Sequence, residues 1–122
     1  MMHEPSPRSW LNKFRVAAGG VLWAIRTQVS FKVQWLVAIA VAALAAWLGV
    51  SQLEGCLLAL CITIVLSAEA FNTALEHLAR AITREQNEEI RRALDVAAGA
   101  VLIAAMGAAL VGAAIFVNRL IG

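Results

Sequence analysis

The chain has 122 residues, 61% of them hydrophobic and only 15% charged, with a formal net charge of +2. That is one domain's length, too apolar for an ordinary soluble protein and too weakly basic for nucleic-acid binding, so it reads as a small membrane protein. Its two cysteines, Cys56 and Cys61, sit five residues apart in one apolar run. They fall on different helix faces and read as packing residues rather than a disulfide or metal pair.

Residues 1–8 hold both prolines and no apolar period, which predicts a disordered tail, with the solvated His3 in it and no signal-peptide pattern. The rest, residues 9–122, forms a single domain. From Ser9, Trp10, Phe14, Ala17, Val21 and Ile25 recur at helical spacing, while Lys13, Arg15 and Arg26 take other faces. This predicts an amphipathic surface helix over about 9–29, anchored among headgroups by Trp10 and Trp23. Gly19 and Gly20 either interrupt it or permit a close approach.

The uninterrupted apolar run 35–50, with its flank, predicts a first membrane span over about 33–50. Ser51 and Glu54 have the spacing of a capping box, so the turn is short and the next helix starts at once. This second helix has no proline or glycine between Gly55 and about residue 82 and is expected over 52–80, longer than the hydrocarbon core is thick. Thr83 and Gln86 resemble a further capping box, opening a short polar helix or loop at the membrane surface that ends at Asp95. Residues 96–117 carry no charge and predict a third span over 95–117. Ala98, Gly99, Ala104, Gly107, Ala108 and Gly112 let helix backbones approach closely, which predicts association into an oligomer.

Within the second helix, Glu69, Asn72 and Glu76 share one face, at about 0°, 300° and 340° on a 100° wheel. Ionisable groups on a greasy helix mark a functional site that faces the protein interior. Counted from Ser51 at 1.5 Å per residue, Glu69 lies about 27 Å across a core of about 30 Å, and Glu76 about 10 Å further, among the headgroups. Nine of the ten Lys and Arg residues fall on the side of the N-terminal segment and the connection around 80–92, leaving Arg119 on the other. That asymmetry assigns the N-terminus and the polar stripe to the cytoplasm. There, a deep carboxylate can take a proton from an alcohol and a shallow one can hold a cation on phosphate; the competing reading is that Glu69 and Asn72 pair across helices to fix an assembly.

The runs E-A-F-N-T-A-L-E at 69–76 and A-L-D-V-A-A-G-A-V-L at 93–102 resemble the bacterial membrane diacylglycerol kinase and undecaprenol kinase family. The likeness covers nearly the whole chain from about residue 10. It implies an all-α homotrimeric enzyme of the bacterial inner membrane that moves the γ-phosphate of Mg2+-bound ATP to a lipid hydroxyl at the cytoplasmic interface. By matching position, Glu69 is implied as the general base and Asn72 and Glu76 as the nucleotide site, with Glu76 on the metal and Asp95 at the rim. The run at 95–102 leans towards the undecaprenol branch.

The chain departs from the family pattern at three positions. Gln28 stands where the family has an acid that shares the metal, and an amide oxygen is a weaker Mg2+ ligand. Leu94 stands where the family has a lysine on the ATP phosphates. Arg80 stands where an Asp is common, within i+4 reach of Glu76 for an ion pair. Arg80 or Arg91 is expected to supply the missing positive charge. The competing reading is a weakened member that binds lipid or serves structurally without turnover. His77 is read as facing the headgroups rather than binding a ligand.

Overall fold

A computed structural model describes the chain from Pro7 to Gly122, with side chains from Ser9; the remainder of the expected tail lies outside the described residues. Four α-helices follow one another: α1 Pro7–Thr27, α2 Val29–Leu48, α3 Gln52–Ile82 and α4 Glu88–Ile121, and no strand occurs among the described residues. α1 begins at Pro7, two residues before Ser9, because a proline in the first turn gives up no helical hydrogen bond. It runs through Gly19 and Gly20 without a break, and a Cβ built on either would touch nothing.

Only Gln28, extended at φ −104°, separates α1 from α2. Backbone bonds continue across it, from Gln28 N–H to Ala24 (2.9 Å) and from Lys32 N–H to the Gln28 carbonyl (3.0 Å). The first span therefore starts at Val29 rather than at 33, since Ser30, Lys32 and Gln34 are taken into the helix. At its far end Gly49 adopts φ 66°, ψ 48°, the left-handed conformation a glycine reaches without steric cost. Gly49 N–H bonds to Ala46 O at 3.3 Å and Val50 N–H to Ala45 O at 3.2 Å, which uses carbonyls the helix leaves free. The chain then turns directly into α3. The Ser51 hydroxyl accepts from Glu54 N–H at 3.2 Å and the Glu54 carboxylate accepts from Ser51 N–H at 2.8 Å, the capping box expected there.

The connection from α3 to α4 differs from the expectation. Thr83 ends α3, and its hydroxyl accepts only from Glu85 N–H, at 3.0 Å. The new helix is capped by Asn87, whose Oδ1 accepts from Glu89 N–H (2.9 Å) and Ile90 N–H (3.2 Å). Glu88 and Glu89 in the first turn complement the positive end of the helix dipole. As a result no separate surface helix forms over 83–94; α4 runs unbroken from Glu88 through Asp95 to Ile121.

α3 packs most extensively against α4 and next against α2, with α1 folded back against α2 and α3. At the opposite end, Arg119 of α4 donates from Nε (2.9 Å) to Glu54 Oε1 and pairs with the same oxygen through a terminal nitrogen at 2.7 Å. Three helices, Val29–Leu48, Gln52–Ile82 and Glu88–Ile121, are long and apolar enough to cross a bilayer. The buried core is narrow: Ala24 of α1, Phe31 and Ala38 of α2, Leu58 and Val65 of α3, and Ile115 of α4. Most other large apolar side chains, Trp47, Phe71 and Leu110 among them, are exposed on the outside of the bundle, as suits helices whose surroundings are lipid or further copies of the chain.

Candidate functional site

α3 carries the site because its inner face is apolar up to Val65 and then turns polar. Glu69 and Thr73, one turn apart, are each only 4% exposed. Glu69 has no hydrogen bond or ion pair among the described residues, yet its oxygens are not sealed off. An unpartnered carboxylate in such surroundings is costly and persists where a ligand or a reaction uses it. Asn72 and Glu76 are half-buried on the next turns, and Asn72 Nδ2 donates to Glu76 Oε1 across a long 3.4 Å. This weak contact leaves most of the Glu76 acceptor capacity free.

Above Glu76 the ends of α3 and α4 splay apart around a cavity of about 500 Å3. Glu76 and Arg80 line it from α3, Glu85 and Glu88 from the connection and the start of α4, and Arg91 and Leu94 from α4. Three predicted site residues, Glu76, Arg80 and Arg91, thus share one opening. Their electrostatic states differ. Arg91 bonds to Glu88 and approaches Asp95 at 3.6 Å, and Arg92 approaches the same Glu88 at 3.6 Å, so carboxylates already offset these two cations. The expected Glu76–Arg80 pair is not formed; Arg80 has no ion pair or hydrogen bond among the described residues. Of the two guanidiniums in the cavity, Arg80 is the one whose charge is uncommitted. Asp95 is largely exposed and does not line the cavity, whereas its neighbour Leu94 does.

Gln28 does not line this cavity. Its Nε2 is 3.1 Å from His77 Nε2 and 3.2 Å from Thr27 Oγ1, and the Trp23 ring meets His77 edge-on with centroids 4.9 Å apart. His77 is therefore half-buried against α1 instead of facing the headgroups, because α1 folds over this end of α3 and covers it. Sequence reasoning passed over Thr73, although it stands at i+4 from Glu69, and also Glu85 and Glu88. Among the described residues no three His, Cys, Asp or Glu side chains gather as a cation cage. A divalent cation here would rest on one carboxylate, water and phosphate oxygens, the usual company of Mg2+ arriving with a nucleotide.

The sequence model for prokaryotic diacylglycerol kinase matches residues 15–116. A diacylglycerol kinase of Synechocystis is 35% identical over 112 residues, covering 91% of this chain, and the chain spans 64% of that protein's length. An undecaprenol kinase of Bacillus subtilis is 32% identical over 123 residues, covering 98% of this chain and all of the relative.

Proposed function

This chain belongs to the prokaryotic diacylglycerol kinase family, and from that membership we propose that it is a lipid kinase which transfers the γ-phosphate of ATP to the hydroxyl of a membrane lipid alcohol. The observation that carries the reading is a buried, unpartnered carboxylate, Glu69, two helical turns below Glu76 in a charged opening between the ends of α3 and α4. The lipid reaches Glu69 from the side, within the bilayer, and the nucleotide enters from above. Glu69 takes the hydroxyl proton as the lipid oxygen attacks the γ-phosphorus; the new O–P bond forms, the bond to the β-phosphate oxygen breaks, and ADP leaves. Such transfers are driven mainly by positioning and by cations that offset phosphate charge.

In this reading Glu76 carries the nucleotide's Mg2+ with Asn72 holding its carboxylate, and Arg80 faces the phosphates in place of the lysine absent at Leu94. Arg91 is the weaker candidate, since Glu88 and Asp95 already compete for it. Mg2+ arriving with the nucleotide would supply further charge to offset that on the transferring phosphoryl group. The enzyme works as a homotrimer of the bacterial inner membrane with its site on the cytoplasmic side, in line with the distribution of Lys and Arg. One observation favours the alternative of a weakened member that binds lipid without turnover: Gln28, where a metal-sharing acid is expected, is tied to His77. Transfer of labelled γ-phosphate in vesicles, with diacylglycerol and undecaprenol offered separately, decides between them. Phosphorylation of either lipid supports the kinase, and transfer to neither lipid overturns it.

A further inference from the structure

Glu69 and Thr73 are the two buried polar side chains among the described residues, each 4% exposed. Both continue the inward line of α3 that Leu58 and Val65 begin. The Thr73 hydroxyl has no hydrogen-bond partner among the described residues, and its oxygen, like those of Glu69, is not sealed off. The other threonines of the chain are all engaged: Thr27 donates to the Trp23 carbonyl at 2.8 Å, Thr63 donates to the Leu60 carbonyl at 2.9 Å, and Thr83 accepts from Glu85 N–H at 3.0 Å. A helical threonine commonly bonds the carbonyl three or four residues before it, here that of Ala70 or Glu69, and Thr73 bonds neither. Burying a hydroxyl without a partner costs free energy, and packing alone would be met by a valine of the same shape. The threonine therefore points to an acceptor that the protein does not itself supply.

Position on the helix identifies that acceptor. Glu69, Thr73 and Glu76 fall at about 0°, 40° and 340° on a 100° wheel, so the three share one face. Along the axis Thr73 lies about 6 Å above Glu69 and about 4.5 Å below Glu76. In the lipid-kinase reading the attacking hydroxyl is at Glu69 and the nucleotide's cation at Glu76. The attacking and leaving oxygens of such a transfer stand roughly in line on opposite sides of the phosphorus. The phosphoryl group being transferred therefore passes at the level of Thr73, between two carboxylates. Its oxygens are acceptors, and a hydroxyl meets them with a donor that brings no further negative charge. The neighbouring Asn72 amide is turned to Glu76 instead. We propose that Thr73 is a further catalytic residue, whose Oγ1–H donates to an oxygen of the γ-phosphoryl group as it moves from ADP to the lipid oxygen. The hydroxyl keeps its own proton throughout, and no bond forms between phosphorus and the protein. The assignment rests on the lipid-kinase reading of Glu69 and Glu76.

The test sets Thr73→Val and Thr73→Ser beside wild type in the full-length protein in lipid vesicles, with Thr63→Val as a control that removes a hydroxyl elsewhere on α3. Transfer from labelled ATP is measured over a range of pH, and thermal unfolding is followed in detergent. Thr73→Val should lower kcat about 10–100-fold, the scale of one donor lost from a charged group in the transition state, with KM for ATP and for lipid changed by less than about twofold. Thr73→Ser should keep kcat within about threefold of wild type, and Thr63→Val should leave it unchanged. Because the valine removes a buried hydroxyl that no protein group satisfies, Thr73→Val should unfold at or above the wild-type temperature. Several results would overturn the proposal: wild-type kcat in Thr73→Val, a loss carried by KM alone, a serine variant as slow as the valine one, or a valine variant less stable than wild type. A shifted acid limb of the pH profile would assign the hydroxyl to orienting Glu69, and label retained on Thr73 would make it a phosphoryl acceptor; either result also overturns the proposal. Wild-type protein that phosphorylates neither lipid would remove the kinase reading and this assignment together, whereas an active wild type matched by Thr73→Val removes the assignment alone.

Discussion

The side-chain amide of Gln28 lies 3.1 Å from Nε2 of His77, joining the break between α1 and α2 to α3 one residue beyond Glu76. Together with the edge-on Trp23 ring, this contact fixes α1 over the C-terminal half of α3. His77→Ala removes both a part-buried hydrogen bond and an aromatic contact, and should lower stability by about 1–2 kcal/mol. Thermal unfolding in detergent measures this, with Trp23→Leu expected to show part of the same loss and the double variant less than the sum.

A second prediction concerns the cation. On the proposed reading, in which Glu76 would hold the nucleotide's Mg2+ and position 28 offers only a neutral amide, Gln28→Glu should lower the Mg2+ concentration needed for half-maximal transfer. An unchanged requirement would assign Gln28 to the α1–α3 joint alone.

Phosphate charge is the third. Arg80 is uncommitted whereas Arg91 is engaged by Glu88 and Asp95. Arg80→Ala should therefore raise KM for ATP about tenfold or more, as loss of a charge-assisted contact would, and Arg91→Ala should raise it less. Leu94→Lys, introducing a cation into the same cavity, should restore much of the loss in the Arg80→Ala background. Steady-state kinetics against ATP distinguish the three variants.

At the far end of the bundle, the Arg119 guanidinium and the Ser51 amide converge on one oxygen of Glu54. This ties the start of α3 to the end of α4 and sets their register, on which the spacing of Glu76 and Arg91 depends. Arg119→Ala should lower the midpoint of thermal unfolding, and adding Glu54→Ala should cost more than the ion pair alone because the capping box goes with it.

Much of this was legible in the sequence for simple reasons. Long apolar runs and charge asymmetry report membrane spans directly, and Ser51 with Glu54 is a local signal read within one turn. Thr83 and Gln86 have the same spacing, but Asn87 ahead of Glu88 and Glu89 is the stronger start signal, and it overrode them. The shared face of Glu69 and Glu76 follows from helical geometry. The approach of Gln28 to His77 does not, because it joins residues 49 positions apart through the fold-back of α1, which no periodicity encodes. Nor does the state of Thr73: its spacing from Glu69 is visible in the sequence, but its burial and the lack of a partner for its hydroxyl show only in the folded bundle.

The central claim is that Glu69 acts as a base beneath a nucleotide site to which it does not itself belong. Nucleotide affinity and phosphate transfer measured side by side on Glu69→Ala test it most directly. The account predicts transfer reduced by about 10²–10⁴-fold, the scale of a lost general base, with ATP affinity changed by less than about twofold. Transfer near the wild-type rate, or nucleotide binding lost together with transfer, would contradict it.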